Sequence, residues 1–212
     1  MATNPTSAAK QQSLEQVIIK NYDLFKTQAA KLNNAAIDKF LEDEADRIMV
    51  APESTKTDFT CCHPGGLVEH SLRVLQNMAK LRNAYGLQDT VSANDLILAA
   101  LFHDIGKIGT DTKSYYVDND SQWHRDKLGI LYNVADRFQH VPPTQISLWW
   151  LSSKLNVELD IDVWYAVSTI NNTNKRDDQV TQGEPWLAVI LQQAVKAACI
   201  QGKGKTQVQP IQ

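Results

Sequence analysis

Three side chains in this sequence could hold a metal ion together, namely His70 and the adjacent pair His103 and Asp104. Two imidazole nitrogens and a carboxylate oxygen suit a divalent transition metal and leave further coordination positions open to water. The carboxylate of Asp104 could also orient an attacking water molecule. Lys107 adds a cation near these groups, where it could hold a phosphate oxygen. We therefore predict His70, His103 and Asp104 as metal ligands, and Asp104 and Lys107 as catalytic residues.

Two helices must position these side chains. Apolar residues recur with helical period from Leu67 to Leu81 and predict a helix that carries His70 near its start. A second helix, predicted from residues 96–102, opens after the capping residue Ser92 and runs into His103. An antiparallel pair of helices joined by a short loop brings the start of one beside the end of the other. The sequence thus predicts that the two imidazoles and the carboxylate meet at one end of a helical hairpin.

The rest of the chain shows mostly the same helical periodicity. Alternation with period two is scarce, so the sequence predicts an all-α, single-domain helical bundle with little or no β-structure, apart from a small hairpin around residues 115–123. The domain is expected to span residues 13–202, between flexible polar tails at residues 1–12 and 203–212. The polar stretch 110–129 lacks clear periodicity and is long for a connector, which is typical of a functional loop.

Composition excludes several classes of function. The 212 residues carry a formal net charge of −3, which gives no strong electrostatic footprint for nucleic acid or a membrane surface. No apolar run is long enough to span a bilayer, and the polar start lacks the apolar stretch of a secretory signal. Three cysteines, two of them adjacent, make a poor disulfide framework and fit a reducing compartment. We expect a cytoplasmic protein and leave its oligomeric state open.

Two segments resemble the HD-domain metal-dependent phosphohydrolases. They are HPGGLVEHSL at residues 63–72 and LFHDIGK at residues 101–107. The resemblance implies an HD-type helical bundle in which His70, His103 and Asp104 bind the metal. It also implies cleavage of a phosphomonoester or phosphodiester, often of a nucleotide, with a divalent ion such as manganese, magnesium, iron or nickel as cofactor. The expected partner is therefore a small phosphorylated substrate, with a nucleotide as the first candidate.

A third segment, WHRDKLG at residues 123–129, is similar to a stretch found beside the active site in a bacterial and phage branch of this family. The resemblance makes His124, Arg125 and Lys127 candidates for binding the substrate, with the two cations on its phosphate. The alternative interpretation is a solvated loop whose charges are incidental. The sequence supports both interpretations equally.

The family's fourth ligand, an aspartate in a late helix, is missing. The comparable helix here, residues 186–196, contains no aspartate, and Val195 stands at the expected position. Asp126, Asp177 and Asp178 are candidates to replace it if their loops fold back. One anionic ligand fewer leaves less charge to compensate a divalent ion. Two functions therefore stand side by side: a working metal-dependent phosphohydrolase with an altered site, and a degenerate HD domain that acts as a non-catalytic nucleotide-binding or regulatory module.

Residues next to the first motif have simpler expected roles. His63 precedes a proline, which favours a loop or cap role, although it could also support a ligand from behind. Glu69 is expected to be an exposed helical charge, with an acid or base role as the alternative. Cys61 and Cys62 are expected to be buried small residues, with a contribution to a metal site as the alternative.

Overall fold

The fold is given by a computed structural model, which describes residues 7–170 and 183–211. It is mostly helical, as the sequence predicts, with one two-stranded sheet among the described residues. The helices are α1 (Ser7–Ala29), α2 (Ala35–Asp43), α3 (Ala45–Val50), α4 (Gly66–Ala84), α5 (Ala93–Phe102), α6 (Gln122–Leu128), α7 (Pro143–Trp149), α8 (Ile161–Thr169) and α9 (Trp186–Gly202). The strands are β1 (Tyr116–Asp118) and β2 (Tyr132–Val134). Shorter helical turns lie at Ala30–Leu32, Ile105–Ile108, Asp136–Phe138 and Trp150–Lys154.

Helices α4 and α5 form the centre of the bundle. Every residue of α5 from Leu96 to Phe102 is buried, because a helix that is apolar on all sides is stable only when it is covered on all sides. The first turns of α4 are buried as well, and this helix packs against α1, α5 and α9. The start of α4 lies beside the end of α5, where the sequence predicts the meeting of the two imidazoles.

The first turn of α4 lies directly against the loop that precedes it. A Cβ atom at Gly66 would overlap the carbonyl oxygen of Cys61 and would lie 3.0 Å from the backbone nitrogen of Glu53. Glycine alone permits this approach because it has no Cβ. The backbone N–H of Glu53 also donates to the carbonyl of Cys61 at 3.1 Å. The loop between α3 and α4 is therefore fixed beside the helix that carries His70.

The small sheet differs from the hairpin predicted around residues 115–123, and that prediction is wrong. Strand β1 pairs with β2 in antiparallel register, with Tyr116 opposite Val134, and α6 lies between the two strands. The polar stretch does not turn back on itself, because the hydroxyl of Ser121 accepts the backbone N–H of His124 at 3.3 Å and starts a helix there. The segment expected to be one long loop therefore carries β1 and α6.

Both ends of the domain differ from the expected boundaries. Helix α1 begins at Ser7, so the expected N-terminal boundary falls inside a helix. After α9, Val208 is buried, and the backbone N–H of Gln209 donates to the carboxylate of Glu69 at 2.7 Å. Val208 and Gln209 thus lie against the bundle, in a segment whose polar composition predicts a flexible tail.

None of the helices in the described ranges is long and apolar enough to cross a bilayer. The three cysteines are unpaired, and Cys61 and Cys62 are buried as expected from their size.

Candidate metal centre

His70, His103 and Asp104 meet where the start of α4 lies beside the end of α5. Their ligand atoms lie within 4.8 Å of one another, and the centroids of the two imidazole rings are 5.6 Å apart. Both histidines are fully buried, and Asp104 is nearly so. The structure therefore brings together the three residues that the sequence singled out as ligands.

Several nitrogen and oxygen atoms of this cluster have no hydrogen-bond partner among the described residues. Nδ1 of His103 lies 3.0 Å from the carbonyl oxygen of Ala100, and since a carbonyl can only accept, Nδ1 carries the proton and Nε2 the lone pair. Neither Nε2 of His103, nor either ring nitrogen of His70, nor Oδ1 of Asp104 has a hydrogen-bond partner in the described part of the chain. Buried polar atoms without partners are costly, and a cation among them would satisfy several at once. The donor set fits a divalent metal ion.

Glu53 lies next to this cluster, and the sequence did not reveal it. It lies in the loop between α3 and α4 and is buried. Its Oε1 lies 3.5 Å from Nε2 of His70, and its Oε2 has no hydrogen-bond partner in the described ranges. No motif or spacing marks this residue, because it reaches the site only through the close approach of its loop to Gly66.

Lys107 lies between two carboxylates. Its Nζ is 2.8 Å from Oδ2 of Asp104 and 2.5 Å from Oε1 of Glu53. The turn that carries it is fixed against α7, because the backbone N–H of Gly106 donates to the hydroxyl of Ser147 at 2.8 Å. A single ammonium group therefore offsets the charge of two buried acids.

Burial and these charges set the protonation of the cluster. Burial lowers the pKa of His70 well below its ordinary value and lowers the pKa of His103 too, so both imidazoles are neutral and available as ligands. Burial raises the pKa of Glu53 well above its ordinary value. Burial acts in the same sense on Asp104, but the adjacent Lys107 ammonium outweighs it and the pKa of that carboxyl is lowered. Asp104 is the permanent anion of the site.

A pocket of about 300 Å³ adjoins the cluster. Lys107 lines this pocket and also contacts Asp104 of the cluster. Tyr116 and Tyr132 of the small sheet line it, with ring centroids 6.4 Å apart. The hydroxyl of Tyr116 donates to the backbone carbonyl of Glu53 at 3.4 Å, which holds the sheet against the loop before α4. The tyrosines were missed in the sequence, where their only signal is that aromatic residues interrupt a polar stretch. The remaining lining residues are Arg47, Val50, Ala51, Pro52, Pro64, Ile108, Ser114 and Asp118.

The structure does not bring the cations of α6 to this pocket. Arg125 donates to the backbone carbonyl of Asn119 and, at 2.6 Å, to the side chain of Gln122, so its guanidinium is engaged in local contacts. His124 and Lys127 are exposed. None of the three belongs to the lining of the pocket. Their contact with substrate stays a prediction, and the two tyrosines are further candidates.

The structure describes one of the three candidates to replace the missing aspartate. Asp126 is exposed on α6 and accepts from Gln122 at 2.8 Å, away from the cluster. Asp177 and Asp178 lie outside the described residues. On α9, Val195 packs against the core. Cys199 lies one turn later, and the charges of Glu53, Lys107 and Asp104 affect the pKa of its thiol. Burial, followed by the negative charge of Glu53, raises the pKa of the Cys199 thiol to about 11.

Comparison with known families gives one match. Residues 67–139 match the family model of the HD domain. The matched segment runs from the first turn of α4 to the turn Asp136–Phe138, so it includes His70, His103, Asp104 and Lys107 and stops before α9. Comparison with curated proteins and with solved structures gives no match.

Proposed function

Because residues 67–139 belong to the HD domain, a domain of the metal-dependent phosphohydrolase superfamily, we propose that this protein hydrolyses a phosphate ester of a nucleotide at the His70, His103 and Asp104 cluster. The observation that supports the proposal best is the convergence of three buried ligand groups, each of which has at least one atom without a hydrogen-bond partner in the described part of the chain. A structural role for these side chains would have paired them with donors.

Glu53 supplies the second carboxylate in this proposal. The late helix has Val195 where an acid is expected. Oε2 of Glu53 is buried and has no hydrogen-bond partner within the described chain, and Oε1 of the same carboxylate lies 3.5 Å from Nε2 of His70. The ion would thus be held by His70, His103 and Asp104, with Glu53 as the fourth candidate. Two neutral imidazoles and two carboxylates match the charge that a divalent ion requires.

The residues around the ion divide the chemistry of hydrolysis between them. A bound divalent ion supplies Lewis acidity toward a phosphoryl oxygen and a water molecule. The Asp104 carboxylate orients the attacking water, whose oxygen bonds to phosphorus as the bond to the leaving-group oxygen breaks. In a site with three protein ligands, Glu53 instead accepts the proton of that water as a general base. Lys107 offsets the charge that builds up on the phosphoryl oxygens.

The pocket favours a nucleotide over a smaller phosphate ester. The rings of Tyr116 and Tyr132 lie at its wall, while Lys107 stands between the pocket and the cluster. Aromatic faces stack on nucleobases with little dependence on base identity. A base between or upon these rings would leave the phosphate within reach of Lys107.

The experiment measures turnover by protein that has been treated with a chelator and then reloaded separately with manganese, magnesium, iron or nickel. Phosphate release is measured from an aryl phosphate and from a panel of mono- and diester nucleotides. His103→Gln and Asp104→Asn should lose both the retained ion and the turnover while keeping the helical circular dichroism spectrum. His140→Gln, at an exposed histidine, should keep both. Stoichiometric ion without hydrolysis of any substrate would exclude the enzymatic function.

A non-catalytic, nucleotide-binding module is the second candidate. One observation favours it, namely that the Lys107 ammonium already pairs with both carboxylates that the ion requires. In that case the protein would bind nucleotides, measured by titration calorimetry, without retaining metal and without releasing phosphate. The same set of variants separates the two functions, because His103→Gln would then leave nucleotide affinity unchanged.

A further inference from the structure

A second group of metal-binding side chains lies beside the first and shares no residue with it. Cys61, His63 and Glu69 place one sulfur, one ring nitrogen and one carboxylate oxygen within 4.8 Å of one another. All three are buried, with exposed fractions of 0, 3 and 0%. The expectation that Glu69 is an exposed helical charge is therefore wrong, because the C-terminal segment covers this face of α4.

The histidine of this group presents an unshared lone pair. Nδ1 of His63 lies 3.0 Å from the carbonyl oxygen of Pro64, so Nδ1 carries the proton and Nε2 does not. Nε2 lies 3.6 Å from Oε2 of Glu69 and has no hydrogen-bond partner in the described ranges. A lone pair facing a carboxylate oxygen in a buried place leaves the imidazole nitrogen without a donor, and a cation between the two atoms would remove this cost.

The carboxylate is held in position by its other contacts. Oε1 of Glu69 accepts from Arg73 at 2.8 and 3.1 Å, and Oε2 accepts the backbone N–H of Gln209 at 2.7 Å. A carboxylate oxygen has two lone pairs, so Oε2 keeps one that faces His63. The arrangement is preorganised for a ligand at this oxygen.

The sulfur is held as firmly. The Cys61 backbone N–H donates to the carbonyl of Gly202 at 3.1 Å, and a Cβ atom at Gly202 would lie 2.5 Å from the Cys61 sulfur. Among the described residues, the thiol accepts one weak hydrogen bond, from the hydroxyl of Thr60 at 3.6 Å. The close packing of α9 at this glycine keeps the sulfur directed at the group.

We propose that Cys61, His63 and Glu69 bind a zinc ion that holds the loop before α4 to the bundle. A thiolate, an imidazole and a carboxylate together suit zinc better than they suit magnesium or calcium, which prefer oxygen ligands. The ion replaces the proton of the Cys61 thiol, since cysteine binds metals as thiolate. The fourth position is open to water.

The zinc site acts on the first cluster through the backbone. The carbonyl of Cys61 accepts the N–H of Glu53, so fixing Cys61 fixes the loop that carries Glu53 beside His70. The site does not depend on the proposed hydrolysis, because it needs neither a substrate nor the other cluster.

Cobalt substitution tests the site on the full chain. The starting protein is His103→Gln, in which the first cluster is disabled, treated with chelator and titrated with Co²⁺. A thiolate bound to Co²⁺ gives a charge-transfer band in the near ultraviolet, and the first cluster contains no sulfur ligand. We expect one equivalent of Co²⁺ with this band, and its displacement by Zn²⁺.

Matched variants identify the ligands. Cys61→Ser and His63→Asn should lose the band, and Asn at 63 keeps a donor for the carbonyl of Pro64. Cys62→Ser and Cys199→Ser should keep it. Zn²⁺ should raise the melting temperature of the starting protein by about 5 °C and leave that of His63→Asn unchanged. No band in the starting protein, or a band that persists in Cys61→Ser, would overturn the proposal. If Cys61→Ser does not fold, the band is measured in His63→Asn, where its persistence would overturn the proposal.

Discussion

The ammonium of Lys107 lies 2.5 Å from the carboxylate of Glu53, a residue 54 positions earlier in the chain. The same ammonium lies 2.8 Å from Asp104, so one cation is shared by two acids among neutral imidazoles. A divalent ion would compete with Lys107 for both carboxylates. Binding of the ion would therefore release the lysine toward the pocket, where a substrate phosphate would lie.

Replacing Lys107 by methionine should separate these two roles. Lys107→Met keeps the length of the side chain and removes its charge, so we expect tighter binding of Mn²⁺ but a kcat about 100-fold lower, since charge stabilisation in the transition state is lost. Metal titration and steady-state phosphate release at saturating metal measure the two effects. Lys154→Met, at a lysine paired with Asp111 on the surface, is the control. Weaker metal binding with unchanged kcat would contradict this assignment.

The pocket tyrosines should determine the affinity for a nucleotide. Tyr116→Leu and Tyr132→Leu should each raise KM for a nucleotide about 10-fold, because each stacked base contributes roughly 1–3 kcal/mol. KM for an aliphatic phosphomonoester should change little. Arg125→Gln and Lys127→Gln on α6 should leave both values unchanged, because neither residue lines the pocket. A higher KM in the two α6 variants, with no change in the tyrosine variants, would instead identify the α6 cations as the substrate contacts.

Glu53 should make the stability of the metal-free protein depend on pH. Its pKa is raised in the folded state, so its contribution to stability is fully present below the pKa of the unfolded chain and is lost as pH rises through the folded value. The wild-type protein should therefore lose free energy of unfolding relative to Glu53→Gln between pH 5 and pH 8, by at most about 1.4 kcal/mol per pH unit.

Urea denaturation of both proteins at the two pH values measures this difference after treatment with a chelator. Glu158→Gln, at an exposed glutamate, is the matched control and should follow the wild type at both pH values. A difference between wild type and Glu53→Gln that stays constant, or grows toward acid, would show that Glu53 is not the destabilised acid.

Restoring an acid on α9 should strengthen the site. Val195→Asp places a carboxylate at the position where the family's late-helix aspartate is expected, one turn before Cys199. Without metal the variant should be less stable by about 1–3 kcal/mol, because a partly buried charge lacks a partner. With metal this loss should disappear, and the affinity for Mn²⁺ should rise about 10-fold or more, the usual worth of an additional anionic ligand. Ile200→Asp, at an exposed position of the same helix, should change neither quantity. An unchanged affinity in Val195→Asp would mean that this position does not face the ion.

Much of the helical architecture follows from local patterns in the sequence. The apolar periodicity of α4, the capping serine of α5 and the unbroken apolar character of α5 are properties of short segments, and each sets a helix without reference to distant residues. Two such helices in a hairpin can bring His70 and His103 together in only one way, at the start of the first and the end of the second. The meeting of the two histidines with Asp104 was therefore predictable.

The contacts that complete the site join residues far apart in the chain. Glu53 reaches Lys107 because Gly66 lets a loop approach a helix, Tyr132 reaches the pocket because a strand passes beyond α6, and Gln209 covers Glu69 from 140 positions away. No periodicity or spacing encodes such pairs, since each depends on how separate elements pack. The sequence by itself determined the helices and the meeting of the three candidate ligand groups; tertiary packing alone decided which buried acids, aromatic rings and cations surround them.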